Sequence, residues 1–225
     1  MSDKPTVCLI GPLVSYDDEV KNWRTHFAGQ WDDTFDFTTP YDCHECISDD
    51  VKFVKEYTDI PDYDPAGGVA RFSGESVVYN DVEYVIAESI IQSDAQVIDR
   101  SDAVLIGWGA RPSVRVPMVM KYVHMMNTVG VLVDSFVSEF GQDSSTFAIG
   151  TRAGQETLTM FENATRYWRE WKPLVVWFEP SGSRHKLEDI NLSPWLIHHP
   201  DYISISARDC TEYLASYFGV SLWDN

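Results

Sequence analysis

Short apolar runs alternating with amphipathic stretches predict a doubly wound α/β fold: a parallel sheet of about five strands with helices on both faces. Thr6–Ile10 (TVCLI), Ala103–Gly107 (AVLIG) and Leu174–Phe178 (LVVWF) are continuous, β-branched-rich runs, as expected for strands buried on both sides. Between them lie segments with helical spacing, and Gly11-Pro12 closes the first run with a turn. The chain has 225 residues, enough for one domain with insertions, and no internal repeat or clean domain break is evident. The expected organisation is therefore a single domain over 1–225.

Element by element, Thr6–Ile10 is the first strand. Ser15-Tyr16-Asp17-Asp18 has the form of a helix N-cap with acids in the first turn, leading into a helix through Trp23 to about Ala28. Phe35–Thr38 is the second strand. Residues 43–80 carry Pro61, Pro65, Gly67, Gly68 and many Asp without a sustained period, and are expected to be an irregular insertion. Asp81–Arg100 has Val82, Val85, Ile86, Ile90 and Val97 at helical spacing and is expected to be a helix. Ala103–Gly107 is a central strand, Pro112–Met126 a helix and Val129–Asp134 another strand. A second insertion, 135–171, is polar and turn-rich at first, then amphipathic and aromatic. Leu174–Phe178 and Tyr202–Ile205 are the last strands, and Ala207–Phe218 is a closing helix. In such a fold, sites form beyond the carboxyl ends of the strands, which gathers Gly11-Pro12, Trp108–Arg115 and the loop after Phe178.

Asp and Glu number 35 against 17 Lys and Arg, giving a formal net charge of −18. This balance repels nucleic-acid phosphates, so nucleic-acid binding is not expected. Lys occurs only seven times, and the Asp-rich, Lys-poor composition resembles that of proteins from salt-loving archaea or their viruses. Concentrated salt would screen the self-repulsion. No apolar run reaches the ~20 residues of a membrane span, and the amino terminus has no signal-peptide core. The expected location is the cytoplasm of a halophile or a virion. Four cysteines are too few and scattered for a disulfide framework. Cys43-His44-Glu45-Cys46 has the Cys-x-x-Cys spacing of zinc or redox sites, but no second pair completes four ligands, and it reads as a turn. His198 and His199 are adjacent and so poorly placed to share one ion. Neither a metal nor a cofactor is expected, and Gly11-Pro12 lacks the Gly-x-Gly-x-x-Gly of a dinucleotide turn.

Four ordered segments carry a family resemblance: Leu9-Ile10-Gly11-Pro12 ahead of a helix bearing Trp23; Asp94 through Ile98-Asp99-Arg100-Ser101-Asp102 into AVLIGW; Pro112-Ser113 through Pro117-Met118 to Tyr122; and Ser193-Pro194-Trp195-Leu196 with His198 and His199. Together they resemble the nucleoside 2-deoxyribosyltransferase superfamily. The resemblance implies a site for a nucleoside or nucleotide, with Asp94 assisting at the base and Gly11, Pro12, Trp108, Ser113 and Tyr122 lining it, Trp108 and Tyr122 as stacking partners. It also implies a glutamate nucleophile on the helix after the third strand. At that position this chain has Val119, with Arg115 and Val116 where the family has Gly-Thr. Valine cannot attack carbon or accept a proton. Glu156, after Gly150-Thr151, is the remaining candidate nucleophile, displaced by two residues from the family's spacing; a solvent-facing helix acid is its simpler reading. The leading expectation is a catalytically degenerate member that serves as a binding or structural component, homo-oligomeric or part of an assembly such as a virus particle. The alternative is an active N-glycosidase or deoxyribosyltransferase using the displaced carboxylate.

Overall fold

β1 (Thr6–Ile10) buries Val7, Cys8, Leu9 and Ile10 almost completely, so both faces of this strand are covered, as its unbroken apolar run requires. The computed structural model describes residues 4–11, 18–39, 52–60, 71–73, 76–79, 82–108, 115–140, 156, 159–160, 163, 166–168, 170–178 and 194–222. Within these the chain divides into two compact units, Met1–Thr38 together with Asp99–Asn225, and Thr39–Ile98.

The first unit holds a five-stranded sheet. Its strands are β1, β2 (Asp36–Thr38), β7 (Ala103–Trp108), β8 (Leu174–Phe178) and β9 (Tyr202–Ser204). They lie in the order β2-β1-β7-β8-β9 and every neighbouring pair is parallel. The expected doubly wound parallel sheet of five strands is therefore present. The chain starts in the second position, steps outward to β2, then returns past β1 to β7. The order thus reverses between β1 and β7, the point at which doubly wound folds open a crevice.

Alternation along the strands sorts the core into two layers. Val7, Leu9, Ala103, Leu105 and Val175 join one cluster with Trp23 and Phe27 of α1 (Asp18–Trp31) and Cys210, Leu214 and Ala215 of the last helix (Ala207–Phe218). The intervening Cys8, Ile10, Val104, Ile106, Leu174 and Val176 point to the other face and are equally buried. There α3 (Arg115–Phe140) packs against β8, burying Val116, Val119, Met120 and Val123 at i, i+3, i+4 and i+7. A short helix, α4 (Pro194–His198), precedes β9. The closing helix, α5, matches its sequence-predicted span. Ser206 caps its amino end by accepting from the Asp209 amide at 3.2 Å, and Gly219, at φ 65°, ends it in a left-handed turn that only glycine adopts without strain.

The second unit contains β3 (Lys52–Val54), a 3-10 turn (Tyr57–Asp59), β4 (Arg71–Ser73), β5 (Ser76–Tyr79), β6 (Val82–Ile86) and most of α2 (Ala87–Arg100). Its sheet runs β3-β6-β5-β4, with β3 parallel to β6 and the others antiparallel. Ile60 and Tyr84 form its small core with Val54, Tyr79 and Val82.

Three sequence expectations are corrected. Val129–Asp134 is not a strand but the continuation of α3. Its Val131 and Leu132 are 45% and 64% exposed, whereas a strand inside this sheet would bury both. Gly130 is a contact point: a Cβ there would lie 1.9 Å from the Trp168 carbonyl oxygen. Asp81–Arg100 is not one helix, because Val82–Ile86 pairs on both sides as β6 and the helix begins at Ala87. Residues 43–80 are not wholly irregular, since three short strands lie in them. Strands of three or four residues carry too little period to register alone; pairing with β6 defines them.

Candidate functional site

The carboxyl ends of β1, β7 and β8 bring Gly11, Gly107, Trp108 and Phe178 to one edge of the sheet. Trp108 and Phe178 are register partners on adjoining strands. Their half-buried rings stack 6.2 Å apart with planes only 13° from parallel. On the opposite face α1 lays Trp23 across the two strand ends at the reversal point. A Cβ on Gly11 would stand 2.7 Å from the Trp23 indole and one on Gly107 2.6 Å, so both glycines exist to admit that ring. Trp23 meets Trp177 edge-on at 5.7 Å. The next residue of α1, Arg24, extends Nη2 to the Gly11 carbonyl at 3.4 Å. Among the described residues the edge is thus aromatic and apolar, with the Arg24 guanidinium beside it. Ile10, Gly11, Gly107, Trp108 and Phe178 bring no carboxylate. Such a surface can stack a planar group and attract an anion; among its described residues nothing attacks or protonates.

A second polar constellation occupies the amino end of the same sheet. Asp99 Oδ1 accepts from the Tyr122 hydroxyl and from Trp168 Nε1, both at 2.8 Å. Lys172, 5% exposed, donates its ammonium to the carbonyls of Asp99 and Ser101 at the end of α2 and lies 4.8 Å from the centre of the Trp168 ring. Burial lowers its pKa from 10.5 to about 8, against the opposing pull of the Asp99 and Asp102 carboxylates. Asn127 of α3 clasps the Lys172 backbone, accepting from its amide at 3.0 Å and donating to its carbonyl at 2.8 Å. Asp102 in turn accepts from the Thr6 amide at 2.7 Å, closing the start of β1. The Ile98-Asp99-Arg100-Ser101-Asp102 stretch, part of the family resemblance, therefore organises the amino ends of β1, β7 and β8. Every polar atom named here has a protein partner, which marks a framework rather than a binding surface.

Beside this network three imidazoles touch. The His124 ring lies 5.7 Å from His198 and 4.7 Å from His199, which are 5.3 Å apart. Desolvation, then the neighbouring His199, Lys121 and His198, lower the His124 pKa, with Asp201 opposing. Among the described residues no group of three or more His, Cys, Asp or Glu is arranged to hold a metal ion.

The residues singled out from sequence separate accordingly. Gly11 and Trp108 meet at the strand-end edge. Tyr122 does not join them: its hydroxyl serves Asp99 at the other end of β7, about 17 Å along a strand of this length. Burial and Asp99 raise its pKa, so it stays a donor. Its ring meets Trp168 edge-on at 5.9 Å. Asp94 belongs to the second unit and is 9% exposed on α2. Glu156 is an exposed helical residue. Pro12, Ser113, Gly150-Thr151, Ser193 and the Cys43–Cys46 motif lie outside the described residues. Val119 is 7% exposed on the sheet-facing side of α3. Sequence reading missed Trp23 as the wedge at the reversal point, Phe178 as the partner of Trp108, and the whole Asp99–Lys172–Asn127–Trp168 network. A lysine just before a strand, in a chain with so few lysines, was the one available signal for the last.

No protein-family model matches the chain, and no curated protein matches it.

Proposed function

We propose that this protein binds a nucleoside or nucleotide at the carboxyl edge of its five-stranded sheet without cleaving it, as a catalytically degenerate relative of the nucleoside 2-deoxyribosyltransferases. In this reading it acts as a homo-oligomeric structural or assembly component in concentrated salt, in a cell interior or a virus particle.

Val119 is the observation that carries the proposal. The position where the resemblance calls for a reactive carboxylate is an apolar side chain packed among Val116, Met120 and Val123. An ionised carboxylate in such surroundings costs several kcal/mol unless paired. Glu156, the displaced candidate, is exposed and lacks the desolvated setting that tunes a nucleophile. The strand-end edge supports the binding half of the reading through the Trp108–Phe178 pair, which presents aromatic surface, and through Arg24 near Gly11, which supplies positive charge for a phosphate.

The test is a panel of deoxynucleosides and their 5′-phosphates in concentrated KCl, with free base followed by chromatography and binding by tryptophan fluorescence. Saturable quenching without base release is the expected result, with the quench reduced in Trp108→Ala. Base release abolished by Glu156→Ala would overturn the loss-of-chemistry reading. Absence of any saturable binding would overturn the ligand.

A further inference from the structure

One face of α3 packs against the sheet; the other leaves large apolar side chains in solvent. Met118, Met125 and Leu132 are 65%, 46% and 64% exposed, spaced seven residues apart, with Val131 at 45% beside them. Ile197 of α4 is 64% exposed next to His198, whose ring lies against His124 of α3, so the patch extends across two helices. By length and composition Val116–Ser135 could cross a membrane, yet its sheet-facing side is buried in the first unit. Charge distinguishes this face from the rest of the molecule. The chain carries 35 acids, but none falls between Ala103 and Val133.

We propose that α3 pairs with α3 of a second copy of this chain, antiparallel, about a two-fold axis passing through Met125. The heptad spacing keeps Met118, Met125 and Leu132 facing a partner helix. Met118 and Leu132 each lie seven residues from Met125, so the two-fold sets Met118 of one copy against Leu132 of the other and Met125 against itself. A second copy is the favoured occupant on electrostatic grounds. Two chains of charge −18 repel each other except where both lack acids, and α3 up to Val133 provides that surface. Lys121 lies one turn from Met118 and from Met125, and its stem can cover apolar surface while the ammonium reaches water. The inference rests on the assembly reading above and names its interface.

Sedimentation velocity in concentrated KCl, with the far-ultraviolet spectrum and melting curve as folding controls, provides the first arm. Wild type is expected to sediment as a dimer of the 25.7 kDa chain. Met125→Glu should weaken dimerisation on the order of 100-fold while the fold is kept, because the substitution falls at the centre of the contact in both copies. In the second arm, mild oxidation should cross-link Met125→Cys into a covalent dimer but not Met118→Cys, with wild type as the control for Cys43 and Cys46. A wild-type dimer that Met125→Glu leaves intact would overturn this interface and spare the assembly reading; a monomeric wild type would overturn both. Equal cross-linking at 118 and 125 would overturn the two-fold register. Flotation of a monomeric wild type with neutral phospholipid vesicles would assign the stripe to a membrane surface instead.

Discussion

At Gly107 a single methyl group decides whether Trp23 can pack. A Cβ there would lie 2.6 Å from a rigid indole ring wedged between two strand ends, so something must shift. Gly107→Ala is expected to destabilise the protein by about 1–3 kcal/mol in urea unfolding. Combining it with Trp23→Phe should return part of that loss, since the smaller ring vacates the collision; a strictly additive double variant would refute the wedge. Lys172 makes a prediction of another kind. Its pKa falls from 10.5 in the unfolded chain to about 8 in the fold, so the unfolded chain binds more protons between those values. Stability contributed at this residue must therefore rise with pH through that interval and stay flat below it. Relative to Lys172→Met, wild type should gain unfolding free energy from pH 8 to pH 10; parallel curves would show that the ammonium is not desolvated as described. The Trp23 wedge is not visible in sequence. Gly11 reads as a turn and Gly107 as a strand residue, and only the ring lying over both explains why each must be glycine.

The helices and strands differ in how openly their sequences declare them. β1, β7 and β8 are legible because each is buried on both sides, and α5 because Ser206, Asp209 and Gly219 mark its ends chemically. α3 is not legible as one element, because Val129–Val133 is a β-branched run whose helical state depends on Trp168 packing at Gly130 and on the Asn127 clasp of Lys172. β3, β4 and β5 of the second unit are illegible for the opposite reason: at three or four residues each is too short to show a period. The contact between α3 and α4 carries a pH prediction. His124 has a pKa below its ordinary 6.5, so the unfolded chain takes up the proton first. Stability should fall as pH drops below about 6.5 and go on falling until the folded-state value is passed. In His124→Gln the slope of unfolding free energy between pH 7 and pH 5 should be shallower, and an unchanged slope would exclude this ring as its source. His199, Lys121 and His198 all push in that direction, and Asp201 alone opposes.

For the whole molecule the governing quantity is a net charge of −18 on 225 residues. Raising KCl from 0.1 M to 1 M shortens the screening length from about 10 Å to about 3 Å, so the melting temperature should rise with salt over that range. A flat or falling dependence in scanning calorimetry would remove the support for a salt-rich setting. Composition, charge and the order of apolar runs were enough to determine the parallel doubly wound sheet and the edge at which Gly11 and Trp108 meet, because burial on both faces and right-handed crossovers leave few other arrangements. The absence of a carboxylate at Val119 was also plain in the sequence. Tertiary structure alone decided that the Tyr122 hydroxyl donates to Asp99, that α3 absorbs Val129–Asp134, and that residues 52–79 contribute strands of a second sheet. Those outcomes depend on partners distant in the chain, such as Lys172 some 70 residues from the Asp99 and Ser101 carbonyls it caps. Local pattern records what a segment prefers; the long-range contact determines which preference survives.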